Sequence, residues 1–143
     1  MNTVPVQVHE ATSPNRWVIL IGWLCSAGAV LILLMSARWK LTFVPWYVRE
    51  WGRIGWAAGA LTRIALIQLT CVVLYVIPPT SVLGAVLLTG YLGGAISQYT
   101  RIGEPIPVLV PLGTALLAWA GLYLREERLR SLLPFRRKAR PRP

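Results

Sequence analysis

Apolar positions dominate four stretches of the chain, Trp17–Ala37, Ile54–Ile77, Ser81–Tyr99 and Ile106–Leu124, with charged or proline-bearing segments between them. Crossing about 30 Å of hydrocarbon at about 1.5 Å per residue takes about 20 helical residues, and each stretch reaches or nears that length. None alternates with the period of two that a membrane β-barrel strand needs. Backbone amides in lipid must bond within their own segment. The pattern therefore predicts an all-α, four-helix integral membrane bundle with short loops and both termini on one side.

The connections refine this picture. Pro78 and Pro79 cannot continue a helix, and Thr80 or Ser81 is placed to cap the next one, which predicts a tight antiparallel hairpin. The only long connection, Leu41–Arg53, sets Trp46, Tyr47 and Trp51 among charges. That composition suits an interfacial belt in the headgroup zone, with a lid over the bundle as the alternative. In the third stretch Ala85, Thr89, Gly93 and Ser97 recur every four residues, beside a GxxxG at Gly90 and Gly94. Small residues at this spacing let helices approach closely, so this helix is the expected packing centre.

Composition confirms the class: 55% of residues are apolar and 14% charged in a chain of 143, enough for one compact domain over residues 1–143. The segment Met1–Asn15 has no secretory cleavage pattern, so the first helix is expected to remain as an anchor. A net charge of +10 raises nucleic acid as a partner, yet eight of the 15 basic residues follow Leu124, in a tail over 125–143. Cationic flanks beside a membrane helix serve orientation and anionic headgroups, and no aromatic-basic platform accompanies them; nucleic acid is excluded as a partner. Arg16 and the tail place nine basic residues on the terminal side, against Arg38, Lys40, Arg49, Arg53 and Arg101 opposite. This asymmetry predicts cytoplasmic termini in a bacterial inner membrane.

Polar groups inside the stretches are few. Arg63 lies nine residues into the second, where a charge faces a bundle interior or a cavity, snorkels to the interface, or pairs with Glu50 or Glu104. Gln68, further in, is expected to make an interhelical hydrogen bond. No Asp, Glu or His lies deep in any stretch, which weakens a proton-coupled small-molecule transporter. Cys25 and Cys71 form no CxxC pair and are read as apolar filler, a facing redox pair being the alternative. His9 is the lone histidine, so no metal cage or bis-histidine haem assembles. No P-loop, HExxH or hydrolase elbow is present, so no autonomous catalytic constellation is visible.

The run from Cys71 to Arg101, CVVLYVIPPTSVLGAVLLTGYLGGAISQYTR, resembles the central signature of DoxX-like membrane proteins, a mostly bacterial family of small four-helix chains. The likeness runs from Arg38–Lys40 to Trp119, the LYLR of Leu122–Arg125 and Leu132-Leu133-Pro134, and is most specific over Leu83–Ala95. Lys40, Gly84, Gly90, Tyr91, Gly93, Gly94 and Arg101 are the positions it carries over. It departs at Gln68, where many relatives have glutamate. The wider group includes the small membrane subunit of a thiosulfate:quinone oxidoreductase and members linked to thiol redox stress. The resemblance thus implies an accessory subunit near quinone or thiol redox systems, with quinone as the one cofactor it suggests. The expected partners are the bilayer, a membrane or redox protein, and a second copy of the chain; the alternative is a non-catalytic structural or partner-binding scaffold. Arg63, Gln68, Tyr91 and Arg101 are the residues offered for a ligand cavity opening on the outer face.

Overall fold

The computed structural model describes residues 16–126 and 129. Residues 1–15 and most of the tail lie outside the described residues, and with them most of the charge that sets the expected orientation. Five α-helices follow one another: α1 Arg16–Leu41, α2 Pro45–Arg53, α3 Ala58–Val76, α4 Ser81–Arg101 and α5 Leu109–Arg125. No strand occurs among the described residues. Three helical segments, Arg16–Leu41, Gly59–Val76 and Pro78–Arg101, are long and apolar enough to cross a membrane. The fourth apolar helix, α5, has 17 residues, about 25 Å of rise. The chain is an all-α membrane protein built as a bundle of apolar helices.

Three features of the connections differ from the sequence expectation, each for a local reason. The stretch beginning at Ile54 is not helical until Ala58, because α2 ends there in a Schellman turn: Gly55 has φ +94°, its N–H bonds Gly52 O, and the Trp56 N–H reaches back to Trp51 O. Residues 106–108 stay outside α5, where Pro105 and Pro107 interrupt the backbone donors. The expected caps at Thr80 and Ser81 do not form. The Thr80 hydroxyl instead donates to Leu74 O at 2.8 Å and Ser81 to Pro78 O at 3.0 Å, so a 3-10 turn over Pro78–Thr80 runs directly into α4.

Within the bundle α1 packs on α3 and α5, and α4 packs on the same two, so α1 faces α4 diagonally and α3 faces α5. Each helix offers a stripe at spacings of three and four. On α1 it is Gly22, Ser26, Ala29, Leu33, Ala37 and Lys40; on α3 it is Leu61, Ala65, Gln68, Val72 and Tyr75. Tyr75 ties the second diagonal: its hydroxyl donates to Ala118 O at 2.8 Å and lies 2.9 Å from Ser26 Oγ. Cys71 is buried in the core and Cys25 half-buried, both as free thiols.

The close approaches are not where the glycine pattern of α4 places them. A side chain added at Gly90, Gly93 or Gly94 meets nothing within 4 Å, and all three positions are exposed. That row opens outward, so α4 is not the packing centre of this chain. Close contact occurs at Gly84, where a Cβ would strike the backbone of Tyr75, and between α1 and α5. There a Cβ on Gly22 would lie 2.9 Å from Leu124 Cβ, and one on Gly121 would lie 2.7 Å from the Ser26 amide.

A second Schellman turn ends α4, with Gly103 at φ +73° and the Glu104 N–H bonded to Tyr99 O. The two turns bring Arg53 and Glu104 together at 2.7 Å, while Arg53 also holds Glu50 at 2.6 Å. Arg53, rather than Arg63, is the partner of both acids. Its hydrogen bond keeps the Glu104 carboxyl below the ordinary value of 4.5.

Two outcomes are expected. Gly84→Ala and Gly121→Ala should each destabilise the protein by about 1–3 kcal/mol through overpacking, whereas Gly93→Ala should be neutral or stabilising by up to about 1 kcal/mol; thermal aggregation in detergent ranks them. The depressed Glu104 contributes stability that is present above its unfolded value and is lost as pH falls through the folded one. Acidifying from about pH 6 to about pH 3 should therefore lower the melting temperature more in wild type than in Glu104→Gln. Because the pair is exposed, salt should shrink that difference.

Candidate functional site

Lys40 is the last residue of the inward stripe of α1, which carries its ammonium into the bundle instead of toward water. It is 1% exposed. Three neutral acceptors surround Nζ: Ser36 Oγ at 2.7 Å, Gln68 Oε1 at 2.8 Å and the Tyr91 hydroxyl at 3.2 Å. Tyr91 donates its own proton to Gln68 Oε1 at 2.8 Å, and the Gln68 amide donates to Leu33 O at 2.7 Å. Gln68 is therefore engaged at both its oxygen and its nitrogen, between α1 and α4. The expected interhelical amide bond is present, and it serves a lysine.

Aromatic faces complete the enclosure. Nζ lies 5.4 Å from the Trp51 ring, 5.8 Å from Tyr47 and 5.9 Å from Tyr91, within reach of cation–π attraction. Two of these rings come from α2, the segment the sequence suggests as an interfacial belt. It is a nine-residue helix opened by Pro45, with Trp46 turned outward, 51% exposed, and Tyr47 and Trp51 turned toward Lys40. Trp39 at the end of α1 packs on Trp46 and Tyr47 at 5.4 and 5.9 Å, which holds α2 over the bundle.

Beneath α2 lies a cavity of about 600 Å³, with Lys40, Ser36, Gln68, Tyr91, Tyr47 and Trp51 at its polar end. Its remaining wall is mostly apolar and comes from α1, α4 and α5, including Leu31, Ile32, Leu92, Val110 and Pro111. Leu31 and Val110 are more than half exposed, so the wall is continuous with the outer apolar surface. A second cavity of about 420 Å³ adjoins it, sharing Trp51, Tyr91 and Tyr99 and bounded by Trp56, Ile64 and Gln98. The Trp56 indole N–H beside it is a buried donor without an acceptor among the described residues.

Of the four residues offered for a cavity, Gln68 and Tyr91 line the larger one, and the structure joins them to Lys40. Arg63 is exposed and outside both cavities. Arg101 donates to Ile54 O at 2.9 Å and fastens the α2–α3 connection instead. Ser36, Tyr47 and Trp51 went unread as site residues. Their signal is periodicity: Ser36 sits one turn before Lys40, and Tyr47 and Trp51 are i and i+4 on one face of α2. Among the described residues no three His, Cys, Asp or Glu side chains gather to hold a metal ion.

These residues form one polar site at the end of an apolar space. The site presents one cation, hydroxyl groups and ring faces, which suits a small amphiphile entering headgroup first. No curated protein and no solved structure matches the chain. The family model described as the DoxX-like family matches residues 27–121. That stretch contains every residue of both cavities, and the chain belongs to the DoxX-like family.

Proposed function

We propose that this DoxX-like protein crosses a bacterial inner membrane four times with its termini in the cytoplasm. In this reading it holds the headgroup of a bilayer-soluble molecule in the cavity beneath α2, and serves a quinone or thiol redox system as an accessory subunit. One observation carries the binding role: a buried lysine with only neutral partners at the end of an apolar cavity. An intramembrane charge is retained when it has a partner, a ligand or water. A quinone fits these walls, because its carbonyl oxygen accepts from the ammonium or a hydroxyl while its ring lies against Tyr47 or Trp51. Family membership supports the redox setting, and the side of the termini rests on the basic asymmetry of the sequence.

A partner-binding scaffold has its own support in the open row Gly90, Gly93 and Gly94 on α4, where a foreign helix could approach the backbone.

The two roles separate in a binding measurement. Decylubiquinone should quench the tryptophan fluorescence of the purified protein saturably. Lys40→Met should weaken its binding about ten-fold or more, as expected for loss of a charge-assisted hydrogen bond, and Arg63→Ala should leave it unchanged. Tyr91→Phe, which keeps the ring and removes one hydroxyl, guards against a folding defect in Lys40→Met. Absence of saturable quenching in wild type would remove the quinone reading.

A further inference from the structure

The charge balance of the cavity narrows its ligand. Five carboxylates occur in the chain; Glu50 and Glu104 are bound to Arg53, and Glu126 lies beyond the far end of α5. None of the described acids reaches Lys40, whose hydrogen-bond partners are a hydroxyl, an amide oxygen and a phenol. Among the described residues the enclosed polar end therefore carries one uncompensated positive charge. Low-dielectric surroundings make such a charge costly and make an opposite charge beside it strongly favourable.

We infer that the cavity beneath α2 binds a monoanionic, single-headed amphiphile, a carboxylate in chemical class, with its headgroup at Lys40 and its apolar body along α1 and α5. The donors fit that headgroup. Ser36 Oγ accepts from Lys40 and stands 3.5 Å from the Tyr47 hydroxyl. Those two hydroxyls share one long contact, so at least one of their protons is available to a carboxylate oxygen. A dianion such as a phosphate monoester fits less well, because the site has one cation and no guanidinium fork to take two oxygens. The apolar wall at Leu31, Ile32 and Val110, exposed on its outer side, gives the body a path into the bilayer.

This inference rests on the reading of the cavity as a ligand site and adds the sign of the headgroup. Gln68→Glu tests it directly: Oε1 already lies 2.8 Å from Nζ, so the new carboxylate would pair with Lys40 and neutralise the cavity without emptying it. The full chain, in nanodiscs of zwitterionic lipid, would be titrated with oleate, with oleyl alcohol as its neutral counterpart, and with decylubiquinone, and read by native mass spectrometry. Wild type should bind oleate at least about ten-fold more tightly than oleyl alcohol. Gln68→Glu should lose that preference; because the change also removes the amide donor to Leu33 O, its melting temperature is measured beside the binding. Equal binding of the two probes by wild type, or a preference surviving in Gln68→Glu, would overturn the anionic assignment, as would binding of decylubiquinone alone; each leaves the cavity reading standing. Failure of all three probes to bind would overturn both. Should Gln68→Glu be unstable, Lys40→Gln in the same titration decides: it must lose the oleate preference, and retention of that preference would refute the assignment.

Discussion

A positive charge held inside an apolar bundle is the constraint around which the α2 half of the molecule is arranged. Removing an ammonium from water costs several kcal/mol even after relaxation, so the protein must replace its hydration group by group. Three acceptors on α1, α3 and α4 and three ring faces from α2 and α4 do so around Lys40. Once these are required, much else follows. Gln68 must sit at the depth of Lys40, Tyr91 must reach across the bundle diagonal, and α2 must lie flat over the end of α1. The Arg53–Glu104 bridge then fastens the end of α2 to the connection after α4.

Helix content was legible because lipid leaves the backbone few options, and uninterrupted apolar stretches have one economical solution. What hydropathy does not contain is rotational phase. Arg63 and Gln68 are both polar residues in one apolar stretch, and depth alone suggested that the charge marks the cavity. The inward stripe of α3 runs through Leu61, Ala65, Gln68, Val72 and Tyr75, which places Gln68 on it and Arg63 off it. The same reasoning on α1 would have carried Lys40 inward. Family likeness named Lys40 without indicating its depth.

Glycine patterns mislead for a related reason. A GxxxG row establishes that a helix face is flat, not that another helix of the same chain fills it. In α4 the flat row at Gly90, Gly93 and Gly94 stays open. The working contacts fall on Gly84, which meets the backbone of Tyr75, and on Gly22 and Gly121 between α1 and α5, and only the fold reveals which helix each one meets. The connection Leu41–Arg53 was ambiguous in the same manner. Its aromatic residues fit a headgroup belt equally well, and their aim is decided by Trp39 and Lys40, outside the connection itself.

Pairing of α1 with α5 has a bearing on how the protein is made. The most extensive helix contact joins the first described helix to the last one described in full, through two glycine-centred surfaces. Until α5 leaves the ribosome, the inner edge of α1 has α3 for company on one side and lipid or an insertion factor on the other. Assembly of the ring is therefore an end-to-end closure with a long sequence separation, the class of event that folds late. A nascent chain halted before α5 would carry its buried lysine beside an unfinished wall.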